Sequence, residues 1–161
     1  MKENILEDWE KKSKEHQKLY KNYLDRADKR KVLKLLPEAH DEAFSNIDCL
    51  DCGRCCKNHS PRFKMPDIKR ISKTMGMREV EFIDKFLKMD EDGDYVNKRL
   101  PCAFLAEDNT CNIYEDRPGD CARYPYTDED VFIKRPVLTL TNSAVCPAVY
   151  YVFEKLLKYE K

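Results

Sequence analysis

Glycine is scarce in this chain, with four residues among 161. No glycine-rich turn joins a predicted strand to a helix, as dinucleotide-binding folds require, and no P-loop is present. The chain also lacks the residue order of a Ser–His–Asp hydrolase and the helical motif of the zinc proteases. These absences argue against nucleotide-cofactor chemistry and against those hydrolases, and the sequence assigns no catalytic residue.

Long apolar runs are missing as well. The first ten residues lack the apolar segment of a secretory signal, and no stretch approaches the roughly 20 apolar residues that span a bilayer. We therefore expect a cytoplasmic protein without a membrane partner. Because thiols stay reduced in the cytoplasm, this location favours metal ligation over disulfides.

The chain has no excess of charge of either sign, since 30 basic and 30 acidic residues cancel. Residues 90–130 hold 12 acidic side chains against 4 basic ones, a balance that repels phosphate. A short basic cluster at residues 29–34 has the spacing of a solvated helix face. We expect no nucleic-acid partner.

Cysteine, in contrast, is concentrated in one place. Four of the eight cysteines lie within eight residues, at Cys49, Cys52, Cys55 and Cys56, and the other four are Cys102, Cys111, Cys121 and Cys146. The Cys-x-x-Cys spacing brings two thiolates to one ion or cluster, and it occurs here twice in succession. The pattern predicts a metal centre with up to eight thiolate ligands.

The cysteine spacing does not identify the metal. Ferredoxins combine three cysteines at these intervals with a remote cysteine followed by proline, as at Cys146-Pro147. One arrangement is thus a 4Fe–4S cluster on Cys49, Cys52, Cys55 and Cys146, with a second site on Cys56, Cys102, Cys111 and Cys121. The other is a pair of four-thiolate zinc sites that meet at the Cys55-Cys56 doublet.

A few residues near the cysteines have more than one interpretation. Cys111 is either a ligand or an ordinary core residue. His59 is a solvent-facing loop residue, an alternative ligand or a donor to a ligand. Arg117 and Arg123 either offset thiolate charge or pair with surface carboxylates.

The remaining pattern predicts an α+β fold with helices at both ends. Residues 1–47 form an N-terminal helical extension that Pro37 interrupts, and residues 48–161 form the cysteine-cluster domain with its C-terminal helix. Within that small, loop-rich, metal-bound domain, apolar spacing predicts helices over residues 65–75, 78–89 and 147–159. Short antiparallel strands are expected over residues 95–96, 103–105 and 112–114, with a loose edge strand over residues 131–139.

Several segments together resemble one known family. Cys49-x-x-Cys52-Gly53-x-Cys55-Cys56 resembles the motif of the CxxCxxCC family, also called the YkgJ-like family, and the similarity continues in three further segments: Pro101–Leu105, Cys111–Pro118 and Cys121–Pro125. The resemblance covers residues 48 to 148 and implies a domain that chelates zinc or iron.

Three functions are compatible with this sequence. The first is a cysteine-cluster protein that binds zinc or iron. The second is an iron–sulfur redox protein or an enzymatic accessory protein. The third is a protein-interaction module that metal folds, with the N-terminal helix as the surface for a protein partner.

Overall fold

The computed structural model describes residues 4–160 and divides them into two compact units. Unit 1 combines the chain up to Asp48 with the chain from Pro125 onward, and unit 2 comprises Cys49–Tyr124. The C-terminal helix therefore packs with the N-terminal helices. The domain boundary expected between residues 47 and 48 stays a prediction.

The structure is mostly helical, with two short antiparallel strands. In chain order its helices are α1 (Trp9–Glu15), α2 (Gln17–Arg26), α3 (Lys29–Asn46), α4 (Cys49–Cys52), α5 (Arg54–Asn58), α6 (Met65–Thr74), α7 (Glu79–Phe86), α8 (Gly119–Arg123), α9 (Val131–Lys134), α10 (Pro136–Val145) and α11 (Pro147–Tyr159). Strands β1 (Leu87–Met89) and β2 (Tyr95–Asn97) form a two-stranded sheet, and Tyr114–Asp116 is a 3-10 helix.

Unit 1 has an extended apolar core between α2, α3 and α11. The ring of Tyr20 stacks on that of Phe153 at 4.3 Å, and its hydroxyl donates to Glu154 Oε1 at 2.6 Å. Tyr20, Tyr23 and Leu24 of α2 are thus buried inside this unit. The bond to Glu154 satisfies the buried hydroxyl of Tyr20, so this apolar face of α2 has a structural role.

Pro37 does not interrupt the N-terminal region, contrary to the sequence-based expectation. α3 continues through it from Lys29 to Asn46. The residues Val32, Leu36, Ala39 and Ala43 are all buried and form one face that runs past the proline. Packing of this continuous face outweighs the helix-breaking tendency of proline.

Unit 2 has a smaller, aromatic core. The rings of Phe82 and Phe104 stack at 5.9 Å, and Cys102 and Cys111 pack against the edge of this cluster. Its buried members are Phe63, Ile68, Ile71, Phe82, Leu87, Phe104 and Ile113. The cysteine-bearing segments therefore border an apolar interior.

Two of the expected strands are wrong. Leu105 forms only an isolated antiparallel bridge with Cys111, residues 112–114 form no strand, and Tyr114 begins a 3-10 helix. The tight turn between the bridged residues accounts for this, because Ala106 N donates to Thr110 O and Asn109 N to Ala106 O. Too few residues remain on either side of the turn to extend a ladder.

The expected edge strand over residues 131–139 is also wrong, since α9 and α10 occupy that segment. Pro136 stands at the start of α10, a position where its fixed φ suits a helix. The helix expected over residues 78–89 ends at Phe86, because Leu87–Met89 pairs with Tyr95–Asn97 instead. Long-range pairing here overrides local periodicity.

Within residues 4–160, no single helix combines the length and the apolar composition needed to cross a membrane. In that described range, the pair α10 and α11 together reaches the required length and composition, and a bend of 113° separates the two helices.

Candidate metal centre

The cysteine run folds into two very short helices that meet at a glycine. Cys49 and Cys52 lie on α4, and the doublet Cys55-Cys56 lies on α5. Gly53 between them has a φ of +58°, and a Cβ there would come within 2.9 Å of Asn109 Cβ. Only glycine fits this left-handed, crowded position without strain. It brings the cysteine run against the turn that precedes Cys111.

Backbone hydrogen bonds hold the two middle cysteines near the doublet. Cys102 N donates to Cys56 O at 2.7 Å, which joins the two cysteine segments directly. Cys111 lies at the bridge to Leu105, and Asn112 N donates to Phe104 O at 2.8 Å. The chain between Cys102 and Cys111 therefore folds back on itself, so that both residues border the aromatic core.

The fourth cysteine of this group, Cys121, lies on α8, whose position is fixed by ion pairs. Its neighbour Asp120 accepts from Arg62 Nε at 2.8 Å and from Arg62 N at 3.2 Å. Burial alone would raise the pKa of Asp120, but the bonds from Arg62 outweigh burial and hold that pKa below its usual value. The carboxylate stays charged and anchors α8.

A second set of polar contacts fixes the chain just before α8. The buried carboxylate of Asp67 accepts from Gly119 N at 3.2 Å and from Arg70 Nη2 at 3.0 Å. The same Arg70 nitrogen donates to the carbonyl oxygens of Asp116 at 3.1 Å and Arg117 at 3.0 Å. Helix α6 thus supports the segment that presents Cys121.

The thiols of Cys56, Cys102, Cys111 and Cys121 form one electrostatically coupled group. Burial raises the pKa of Cys121, and the charges of the other three raise it further. Burial likewise raises the pKa of Cys102 and Cys111, both of which also respond to Cys56. We call this set the four-thiol group. Its members lie close enough that several negative charges would repel one another without a cation.

The doublet itself is also coupled. A side-chain hydrogen bond in which the Cys56 thiol donates to Cys55 is the largest cause that raises the pKa of Cys56, ahead of burial. Thiols with raised pKa values stay protonated at neutral pH, so a metal that binds them must displace protons. The charge of Arg117 acts in the opposite direction on Cys111 and lowers its pKa. The guanidinium of Arg117 lies over the Tyr114 ring at 4.2 Å and donates to Tyr114 O at 2.8 Å, so its role at the thiols stays a prediction.

The thiols are near one another but are not yet arranged as ligands. Within the described part of the chain, no three His, Cys, Asp or Glu side chains are placed around a common point that would hold an ion. All eight cysteines are free thiols. The donor set of the four-thiol group nevertheless fits zinc or iron, because four thiolates complete the tetrahedral shell that both accept.

Of the remaining cysteines, Cys49 alone differs in burial from the four-thiol group, since the other seven cysteines are all half-buried. Cys49 is exposed, and Cys52 and Cys55 are half-buried. Cys146 belongs to unit 1, where it precedes α11 and packs against that unit's core. The assignment of Cys49, Cys52, Cys55 and Cys146 to a second centre stays a prediction.

The sequence did not point to several residues that shape the site. Asp67 and Arg70 lie among other charged residues of α6, and Arg62 lies in a loop. No spacing rule connects any of them to Cys121, which is about 50 residues away in the chain. Asn97, next to Cys102 in the structure, is likewise an unremarkable polar residue of a short strand.

Replacing Arg70 with alanine should weaken unit 2. The change removes donors to Asp67 and to two backbone carbonyls, and we expect it to lower the free energy of unfolding by about 1–2 kcal/mol. Arg78→Ala is the matched control, because Arg78 makes only an exposed ion pair with Glu81 and should have no measurable effect. Urea unfolding of both variants checks this; equal effects would contradict the supporting role of Arg70.

Comparison with known proteins gives one match. The family model CxxCxxCC, described as "Putative zinc- or iron-chelating domain", matches residues 48–140, which is more than half of the chain. The matched range contains Cys49, Cys52, Cys55, Cys56, Cys102, Cys111 and Cys121, and it ends before Cys146. No curated protein and no solved structure matches the chain.

Proposed function

The chain belongs to the CxxCxxCC family of zinc- or iron-chelating domains, and on that basis we propose that unit 2 holds its metal through the four-thiol group. Cys56, Cys102, Cys111 and Cys121 supply four thiolates from three separate segments of the chain. The observation that carries this proposal is that Cys102 and Cys111 both border the aromatic core and that Cys102 N donates to Cys56 O at 2.7 Å. The influence of Cys56, Cys102 and Cys111 on the raised pKa of Cys121 supports it.

The proposed centre is mainly structural. Four thiolates saturate a tetrahedral ion and leave no open position for a substrate, which is typical of structural rather than catalytic sites. The metal would connect three short elements of unit 2, namely α5, the turn around Cys111 and α8. Its chemical contribution is to stabilise four thiolates that would repel one another in its absence.

Zinc and iron are distinguished by one preparation. Protein purified without oxygen and without added metal should contain stoichiometric zinc or iron by elemental analysis. Absorption in the region of roughly 400 nm would assign an iron–sulfur cluster, and a colourless zinc protein would assign a four-thiolate zinc site. Protein that carries neither metal, and that takes up neither when each is supplied under reducing conditions, would contradict the proposed function.

A further inference from the structure

Asn97 is a buried amide whose polar atoms have no hydrogen-bond partner. Its side chain is 4% exposed, and both Nδ2 and Oδ1 lack a partner in the described structure. Its backbone is well held, because Asn97 N donates to Ser60 Oγ at 2.7 Å and the residue pairs with Leu87 across the sheet. A fixed backbone that presents an unsatisfied buried amide calls for an explanation, because such groups are rare.

The amide lies beside one of the four thiols. The Asn97 side chain approaches Cys102 closely enough to act on its sulfur as a hydrogen-bonding group, although neither amide atom completes a bond of ordinary geometry. Cys102 is half-buried and packs against the aromatic core, so little water competes for its sulfur. Asn97 is therefore a donor already in position, next to an acceptor that is still weak.

Metal binding would change that acceptor. A neutral thiol is a poor hydrogen-bond acceptor, whereas a metal-bound thiolate carries negative charge and accepts N–H donors well. Donors of this kind around a metal centre orient the ligands, and their loss typically lowers metal affinity about 10–100-fold. The only other buried polar side-chain atom without a partner in the described residues is His59 Nε2, on the loop whose Ser60 holds the backbone of Asn97.

We propose that Asn97 is a positioning residue of the metal centre, and that its side-chain N–H donates to the sulfur of Cys102 when that sulfur is a metal-bound thiolate. The proposal rests on the proposed function, because it requires Cys102 to be a ligand. It explains why an amide without a partner is retained in the interior of unit 2.

The test replaces Asn97 with leucine, which has a similar shape and no donor. The probe is Co²⁺ alone, added to the reduced protein, because cobalt thiolates absorb strongly through sulfur-to-metal charge transfer. We expect Co²⁺ affinity to fall about 10-fold and the charge-transfer band to move to longer wavelength, since sulfur loses a stabilising hydrogen bond. The melting temperature of the metal-free protein should not fall, because the lost amide had no partner there.

Asn112→Leu is the matched control, since it removes an exposed amide one residue from Cys111. It should change neither the band nor the affinity. Asn97→Asp is a second variant, which keeps the size of the side chain and replaces the donor with an acceptor; it should lower Co²⁺ affinity at least as far as leucine does.

Two results would overturn the inference while leaving the proposed function intact. If Co²⁺ affinity and the band are unchanged in both Asn97 variants while the wild-type protein binds cobalt, the donor does not exist. A lower melting temperature of metal-free Asn97→Leu would show instead that the amide supports the fold itself. Failure of the wild-type protein to bind Co²⁺ would overturn the proposed function, and the inference with it, which separates the two cases.

Discussion

Removal of the metal should loosen unit 2 and leave unit 1 folded. The structure gives the physical reason, since among the described residues unit 2 buries seven apolar side chains in its core cluster and unit 1 buries sixteen. The sheet of unit 2 consists of two strands of three residues each, which is too short to be stable alone. Metal that connects three of its segments would therefore supply much of its folding free energy.

Hydrogen exchange measures the local stability of each unit separately. On treatment with a chelator under reducing conditions, backbone amides between Cys102 and Cys121 should exchange at least about 100-fold faster, which corresponds to a loss of roughly 3 kcal/mol of local stability. Amides of α3 and α11 serve as the internal control and should change little. Unchanged exchange in unit 2 after the metal is removed would contradict a structural centre there.

Substitution of Cys121 with serine should have the largest effect of any single change on metal affinity. The thiol of Cys121 interacts with the other three members of the four-thiol group, and its helix is fixed by Arg62 and Asp67. Serine has nearly the same size but is a much poorer ligand for zinc or iron. We expect metal affinity to fall by more than about 100-fold, beyond the range typical of groups around the ligands.

The matched control is Cys146→Ser. Cys146 is a half-buried cysteine of unit 1 and is not part of the four-thiol group, so its loss should leave this centre intact. Competition with a chromophoric chelator under anaerobic conditions measures both variants against the wild-type protein. Equal affinity in Cys121→Ser and the wild-type protein would remove Cys121 from the ligand set. Loss of this metal in Cys146→Ser would show that the ligands are grouped differently.

The helices with strong periodicity could be predicted from the sequence. α6 and α11 begin and end close to the expected residues, because apolar spacing and a proline in the first turn agree at each. Where a local sequence signal conflicts with tertiary contacts, the tertiary contacts determine the secondary structure. Pro37 is tolerated because buried residues continue on both sides of it, and Leu87–Met89 leaves its helix because Tyr95–Asn97 offers a pairing partner.

The metal site, like the fold, could be predicted from the sequence only in part. The sequence identifies the chemistry, because eight cysteines in family-like segments indicate thiolate ligands for metal, and the family match confirms that resemblance. Which thiols come together is a property of the fold. Cys56 and Cys121 are 65 residues apart and become neighbours only through the backbone bonds and ion pairs of unit 2. Asn97 has no signature at all in the sequence, since its significance depends on burial beside Cys102.

The central claim is that metal binds to the four-thiol group through sulfur alone. X-ray absorption at the edge of the bound metal tests this most directly, because it reports the type, number and distance of the ligand atoms. We predict four sulfur ligands at about 2.3 Å from the metal, and fewer sulfurs in Cys121→Ser. A shell of nitrogen or oxygen ligands at about 2.0–2.1 Å, or a four-sulfur shell that is unchanged in Cys121→Ser, would contradict the account.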